Sequence, residues 1–168
     1  MRANVGIDPK LLADSHLIAE YRELKMPIGS LIYHNDYGKK KLNIPVKFSL
    51  KEQHINFFKN KLIYLQRRYK EVVKEMQNRG FKCDIPYPDI NVFPKELHND
   101  WIPTLEDSQI IRDRIDYKLR LKPWLYRYQR EYIAQDVEGN EKEGWVVKDL
   151  KPIEEFIEKI KNSELFHV

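Results

Sequence analysis

The chain has 168 residues, one cysteine and a formal net charge of +4 at pH 7, which is compatible with an anionic partner such as nucleic acid. Its length fits one domain, and a single cysteine excludes an intramolecular disulfide and a cysteine-rich metal site. No apolar run is long enough to cross a bilayer and no signal peptide precedes the first predicted helix, so we expect an intracellular protein that does not bind membranes.

The first predicted helix begins at Asp8 and Pro9 and runs to about Leu24. Asp8 can cap it, and a proline at the first helical position loses no hydrogen bond. Four residues with helical spacing should face the core: Ala13, Leu17, Tyr21 and Leu24. Three ionisable residues then share a neighbouring flank, with Arg22 beside them: His16, Glu20 and Glu23. The pattern alone allows either a solvated helix face or a functional site.

Pro27 and Gly29 end this helix, and residues 25–48 are predicted to be irregular or to form short helices. The triplet Lys39–Lys41 lies in this part of the chain. It is either a solvated charge run or a DNA contact.

A second long helix is predicted from a capping box at Ser49 and Glu52 to a glycine cap at Gly80. A helix of about thirty residues is long for a small domain, so a kink is possible. Its apolar residues alternate in steps of three and four and should face the core: Ile55, Phe58, Leu62, Leu65, Tyr69, Val72 and Met76.

Residues 81–103 are rich in proline and are predicted to form an ordered, extended loop. A third helix starts at Thr104 and Asp107 and ends at Pro123, with three apolar residues facing inward: Ile111, Ile115 and Leu119. A row of cations follows another side of this helix: Arg114, Lys118 and Lys122. An aromatic and basic stretch comes next, so this row is either a solvated face or a surface that tracks phosphates.

The character of the chain changes after residue 135. The polar stretch 138–144 lies between two apolar segments and predicts a β-hairpin. Pro152 begins a last amphipathic helix, with four apolar residues on one face: Ile153, Phe156, Ile157 and Ile160. We therefore expect a mainly α domain in residues 1–135, with residues 136–168 as a C-terminal extension packed on it.

Common catalytic and metal motifs are absent from the sequence. There is no Gly-rich phosphate loop, GxSxG or HExxH, and the five histidines show no metal-ligand spacing. We therefore expect no metal and no cofactor, and any chemistry must use amines, carboxylates and guanidinium groups.

Several separated segments resemble one known family. The segments "LLADSHLIAEYREL", "HINFFKNKLIYLQRR", "NRGF", "NDWIP" and "RIDYKLRLKPWLYRY" are similar, in this order, to segments of the pyrimidine dimer DNA glycosylases, the family of phage T4 endonuclease V. The resemblance covers roughly residues 1–130. It implies a compact single-domain three-helix bundle of the T4 endonuclease V type, to which the sequence adds the C-terminal hairpin and helix.

The resemblance also implies a chemistry at the N-terminus. In the family, the α-amine of the mature N-terminus attacks the sugar C1′ of a pyrimidine dimer, displaces the base and forms an imine, and β-elimination follows. The corresponding residues here are Met1 as the amine, Glu23 as the carboxylate of the "YREL" motif, and Arg22 as a phosphate-binding or orienting cation. A free α-amine titrates near pH 8, so it supplies a neutral nucleophile without deep burial.

The resemblance implies a DNA-contact surface around this site. The expected contact residues are Arg2, His16, Lys25, Arg114, Lys118, Lys122, Trp124, Tyr126 and Arg127. Some have an ordinary alternative, since His16 can equally be a core or capping residue and Arg22 can form a surface ion pair.

The sequence departs from the family pattern in three places. Met1 stands where the best-known members have a threonine, and its amine is expected to serve instead. Met26 replaces an arginine, and the aromatic segment is shifted at Trp124 and Leu125.

The predicted function is a DNA glycosylase with abasic-site (AP) lyase activity on ultraviolet-induced pyrimidine dimers, acting as a monomer on damaged double-stranded DNA. The alternatives are a glycosylase for another modified base and a non-catalytic DNA-binding relative.

Overall fold

The computed structural model describes residues 1–34, 41–51 and 53–168, and these are mainly α-helical, as predicted. The α-helices are α1 (Asp14–Glu23), α2 (Met26–His34), α3 (His54–Phe58), α4 (Leu62–Asn78), α5 (Leu105–Leu121) and α6 (Lys151–Lys161). The strands form two separate antiparallel hairpins, β1 (Arg127–Tyr128) with β2 (Glu131–Tyr132) and β3 (Gln135–Asn140) with β4 (Gly144–Asp149).

The N-terminal segment, residues 3–7, is buried among the helices. Val5 and Ile7 have no exposed surface. Gly6 has a φ of +71°, and a Cβ there would lie 2.6 Å from a Leu165 methyl carbon and 2.7 Å from Ser108 Cβ. Only glycine fits that backbone conformation at such a close approach without strain. The start of the chain is thus held between α5 and the C-terminal tail.

The predicted first helix is wrong at its beginning. Asp8 caps a short 3-10 turn at Pro9–Leu11, the chain then becomes extended, and α1 starts at Asp14. The buried Arg79 guanidinium explains this break, because it donates to the carbonyl oxygens of Pro9, Lys10 and Leu12. Those carbonyls would otherwise accept helical hydrogen bonds. The predicted core residues of this helix are nevertheless all buried.

The second predicted helix is two helices. It begins at His54 rather than Ser49, and α3 and α4 are separated by a break at Lys59–Lys61. Lys61 has a non-helical ψ of 45° and forms an isolated antiparallel bridge with His98. This long-range pairing interrupts the helix. All predicted core residues of the stripe are buried except Ile55, which is partly exposed. Glu52, Lys39 and Lys40 lie outside the described residues.

Pro27 and Gly29 do not end a helix as predicted, because α1 already ends at Glu23 and both residues lie inside the short helix α2. Several later elements are confirmed. Thr104 and Asp107 form the capping box of α5, and the β3–β4 hairpin and α6 lie where expected. Residues 81–103 contain no α-helix and include two short 3-10 turns and the bridge from His98 to Lys61. The small β1–β2 hairpin was not predicted. The α6 helix packs on α5. The buried Arg112 of α5 donates to four carbonyl oxygens at and just after the end of α6, those of Ile160, Lys161, Ser163 and Glu164.

Candidate active site at the N-terminus

Asn4 fixes the position of the first residues. Its backbone N–H and its side-chain amide donate to the two oxygens of Glu20, at 3.0 and 2.8 Å, and its side-chain oxygen accepts from Arg114 at 2.9 Å. Asn4 and Glu20 are both fully buried. Because α1 and α5 both hold this one residue, Met1, three positions earlier, has a defined place beside the C-terminal end of α1.

Glu20 is a structural carboxylate. Besides Asn4, it accepts two hydrogen bonds from Arg68 of α4, at 2.7 Å from Nε and 3.0 Å from Nη2. Arg68 also donates to the Ile7 carbonyl at 2.7 Å. Although burial by itself lowers the pKa of Arg68, the Glu20 carboxylate raises it above its ordinary value. The hydrogen bonds of the Glu20–Arg68 pair therefore hold the N-terminal segment against α1 and α4.

Glu23 lies one helical turn after Glu20 and has a different environment. Its Oε2 is 3.6 Å from the Met1 α-amine, and its Oε1 accepts from Arg2 at 2.8 Å. The Glu23 side chain is 24% exposed, so it can be reached from solvent. The structure thus brings together the predicted amine and the predicted carboxylate.

His54 is the second neighbour of the amine. Its Nε2 lies 2.5 Å from the Met1 nitrogen, and its Nδ1 lies 2.7 Å from the Lys51 carbonyl oxygen. Among the five histidines, only His16 was predicted to belong to the site. His54 was not predicted, although it begins one of the segments that resemble the family.

A cationic cluster surrounds His16 on the same side of α1. The pKa of His16 is lowered from 6.5 to about 4, mainly by burial and in addition by the charges of Arg114, Arg2 and Lys118. The ring packs on Tyr126, with ring centroids 5.1 Å apart. Five of the predicted DNA-contact residues therefore lie close together: Arg2, His16, Arg114, Lys118 and Tyr126.

The other predicted contact residues lie outside this cluster or at its edge. Lys25 stacks its ammonium over Tyr21, 4.9 Å from the ring centroid, and Arg127 donates to the Tyr132 hydroxyl at 2.6 Å. Trp124 lines an open groove of about 540 Å³ together with Tyr132 and Trp145. Arg22 on α1 and Lys122 at the end of α5 are both exposed.

Arg68 is a residue that the sequence could have revealed. It lies between Leu65 and Val72 on the apolar stripe of α4, where a charged side chain needs a buried partner. The partner itself was not predictable, because Glu20 is 48 positions away. No group of three or more His, Cys, Asp or Glu side chains in the described part of the chain could hold a metal ion.

No helix within residues 1–34, 41–51 and 53–168 has both the length and the apolar character needed to cross a membrane.

Comparison with known families identifies the protein class. A family model described as pyrimidine dimer DNA glycosylase matches residues 3–89, which is more than half of the chain. The chain belongs to this family. It is accordingly a DNA repair glycosylase, and DNA is the molecule that it binds. The matched range contains Glu20, Glu23, His54 and Arg68, and it ends before α5.

Proposed function

We propose that the enzyme is a DNA glycosylase with AP lyase activity, that it acts on ultraviolet-induced pyrimidine dimers, and that the Met1 α-amine is its nucleophile. The distance of 3.6 Å between this amine and the Glu23 carboxylate is the observation that carries the proposal. An amine that must become a cationic imine needs a negative charge within a few ångströms, because the charge develops during the reaction. Glu23 supplies that charge and remains accessible to a substrate.

The proposed reaction has two stages. The neutral amine attacks C1′ of the 5′ nucleotide of the dimer, the C1′–N glycosidic bond breaks, and its electron pair leaves with the base, which takes up a proton. The C1′–O4′ bond then breaks, O4′ is protonated, and the nitrogen becomes a cationic imine. Loss of a C2′ proton allows the C3′–O3′ bond to break, so the 3′ phosphate leaves with the electron pair. Water hydrolyses the imine and frees Met1.

The proposed DNA surface consists of the cations near this site. Arg22 and Lys118 are exposed, and the charges of Arg2, Arg114 and Lys118 act together on His16. Cations held close together neutralise successive phosphates and release counterions, so binding should weaken strongly with added salt. The proposed contact set also includes Arg2, which pairs with Glu23, and His16, which lies near the Arg2 charge. It is completed by Lys25, Lys122, Trp124, Tyr126 and Arg127.

We further propose the arrangement in which this site is built. The helices α1, α4 and α5 form the three-helix core of the family, residues 1–135 form the glycosylase domain, and residues 136–168 are an extension packed on it. The hydrogen bonds from Arg112 to the end of α6 support this packing. The enzyme acts as a monomer and needs no cofactor, because the amine and the carboxylate come from one chain.

Borohydride reduction tests the reaction class. Full-length protein is incubated with duplex DNA that contains one cyclobutane thymine dimer, in the presence of sodium borohydride. We expect a covalent protein–DNA complex, and without borohydride a strand break at the dimer. A variant with extra residues fused before Met1 should give neither product and should still bind DNA. A wild-type enzyme that releases the base without a trapped complex would contradict the amine mechanism.

Lesion range is tested separately with a panel of duplexes. Met26 is 40% exposed, two residues after the end of the "YREL" motif, and it stands where the family has an arginine. If a modified base other than a dimer is excised faster, the substrate assignment is wrong while the amine mechanism stands.

A further inference from the structure

We infer that His54 is the group that takes the proton from the Met1 ammonium and so makes the amine nucleophilic. This inference rests on the proposed amine mechanism and adds a residue to it. Only a neutral amine has the electron pair needed to attack C1′, whereas a free α-amine is mostly protonated below about pH 7.5. Below about pH 7.5, the reaction is therefore faster with a proton acceptor in contact with the amine.

The hydrogen bonds of His54 fix which ring nitrogen is free to accept. The Lys51 carbonyl oxygen accepts from the His54 backbone N–H at 3.0 Å, and it lies 2.7 Å from Nδ1 of the same residue. A carbonyl oxygen can only accept, so Nδ1 must carry the hydrogen. In the neutral ring, the lone pair is then on Nε2, which faces the Met1 nitrogen at 2.5 Å.

Proton transfer along this contact balances in atoms and charge. The N–H bond of the Met1 ammonium breaks, its proton moves to Nε2, and the products are a neutral amine and an imidazolium. The contact is within direct hydrogen-bonding distance, as proton transfer requires. No rearrangement of the ring is needed, because the Lys51 carbonyl already holds it.

Glu23 is less well placed for this step. Its nearer oxygen is 3.6 Å from the amine, which is an ion-pair distance rather than a hydrogen bond, and its other oxygen is bonded to Arg2. The two groups therefore have different roles: His54 accepts the proton before attack, and Glu23 stabilises the cation that forms afterwards.

The charged groups around the histidine come from three parts of the chain. Glu23 of α1 and Arg2 lie beside the amine. The α2 helix, which packs on α3, contains no Asp, Glu, Lys or Arg, and its one histidine, His34, is exposed. The Lys51 side chain is also exposed. Among the described residues, Glu23 is a carboxylate that the structure places beside the amine–imidazole contact, where it can stabilise the imidazolium.

The test is the pH dependence of single-turnover cleavage of duplex DNA with one abasic site, which needs the amine but no base release. We compare wild type with His54→Gln, which keeps an acceptor but cannot take up a proton, and His54→Phe, which removes the acceptor. At about pH 6.5 both variants should be slower by at least about tenfold. Near pH 9 they should approach the wild-type rate to within about threefold, because hydroxide can then remove the proton in place of His54. His34→Gln is the matched control and should follow wild type throughout.

A purely structural role for His54 predicts a different result. Both variants would then lose the same fraction of activity at every pH, and this outcome, or no loss at all, would overturn the inference. If wild type itself is neither trapped nor able to cleave, the amine mechanism fails, which is a separate result. Nitrogen NMR of labelled histidine gives a readout without activity or substitution. We expect His54 in the free enzyme to carry its hydrogen on Nδ1, and the opposite tautomer would refute the assignment.

Discussion

Each end of α1 has a buried ion pair between a carboxylate and an arginine. At the N-terminal end, Asp14 pairs with Arg79, and near the C-terminal end, Glu20 pairs with Arg68. Arg68 lies within α4, Arg79 immediately follows its last residue, and both are almost fully buried. At the Asp14 end, both charged groups have further partners within the protein. Arg79 also pairs with Glu75, and Asp14 also accepts hydrogen bonds from the backbone N–H groups of Gln129 and Arg130 in the β1–β2 hairpin.

The C-terminal end adds reactive groups to an equally buried pair. Glu20 and Arg68 hold the N-terminal segment, and this leaves Met1, Glu23 and His54 in contact at the surface. The comparison shows that a buried arginine–carboxylate pair does not by itself mark a site. The C-terminal end differs because it has a second carboxylate, Glu23, one turn after Glu20, and this carboxylate faces the Met1 amine. At the other end, the partner of the carboxylate is the Arg79 guanidinium, which backbone carbonyls hold in place.

The largest expected effect is on activity at that second carboxylate. Glu23→Gln removes the negative charge beside the amine and keeps the shape of the side chain. Turnover on dimer-containing DNA should fall by about 10²–10⁴-fold, while the free energy of unfolding changes by less than about 1 kcal/mol. Single-turnover kinetics and urea denaturation measure the two quantities. Retention of more than a tenth of the wild-type rate would remove Glu23 from the chemistry.

The two buried arginines give the next effect, on stability. Arg68→Met and Arg79→Met each leave a buried carboxylate without its partner, so each should lower the free energy of unfolding by about 3–5 kcal/mol. The comparison predicts that they differ in activity. Arg68→Met also releases the N-terminal segment and should lose turnover per folded molecule, whereas Arg79→Met should keep it. Equal activity losses would show that the two ends of α1 are not functionally distinct.

His16 should make stability depend on pH. Because the pKa of His16 is lowered from 6.5 to about 4 in the folded state, the unfolded chain binds a proton that the folded chain does not over this interval. Its contribution to stability is therefore present above pH 6.5 and is lost as the pH falls toward 4. Between neutral pH and about pH 4.5, wild type should lose about 2 kcal/mol more than His16→Gln, as measured by urea denaturation. Parallel losses in the two proteins would mean that His16 is not buried as a neutral ring.

The smallest expected effect concerns DNA affinity. Lys118→Ala removes an exposed cation near His16, so it should weaken binding to undamaged duplex a few-fold and reduce the slope of log K against log salt by about 1. Lys70→Ala, an exposed lysine of α4 outside the proposed contact set, is the control and should leave the slope unchanged. A Lys118 variant with an unchanged slope would exclude this lysine from phosphate contact.

Local patterns in the sequence predicted most of the elements. The spacing of apolar residues gave the buried faces of α1, α4, α5 and α6, and the capping box at Thr104 and Asp107 gave the start of α5. These features depend on neighbours within one or two turns, so the sequence contains their causes.

The errors came from long-range contacts. The first helix is interrupted because Arg79 takes the carbonyls that helical bonds would use, and α3 is separated from α4 where Lys61 pairs with His98. The same limit applies to the site. The resemblance to a family supplied Met1, Arg22 and Glu23, but neither His54, 53 positions from Met1, nor the Glu20–Arg68 support followed from local spacing.

Mass mapping of the borohydride-trapped complex tests the central claim most directly. The amine mechanism predicts one cross-linked residue, Met1, attached through its α-nitrogen. The chain offers a natural competitor, because burial lowers the pKa of the Lys61 side chain to about 8, which makes it another amine that is partly neutral near pH 8. Its Nζ, however, donates to the Phe57 carbonyl at 2.7 Å. A cross-link found only on Met1 would support the account, and one found on Lys61 or any other lysine would contradict it.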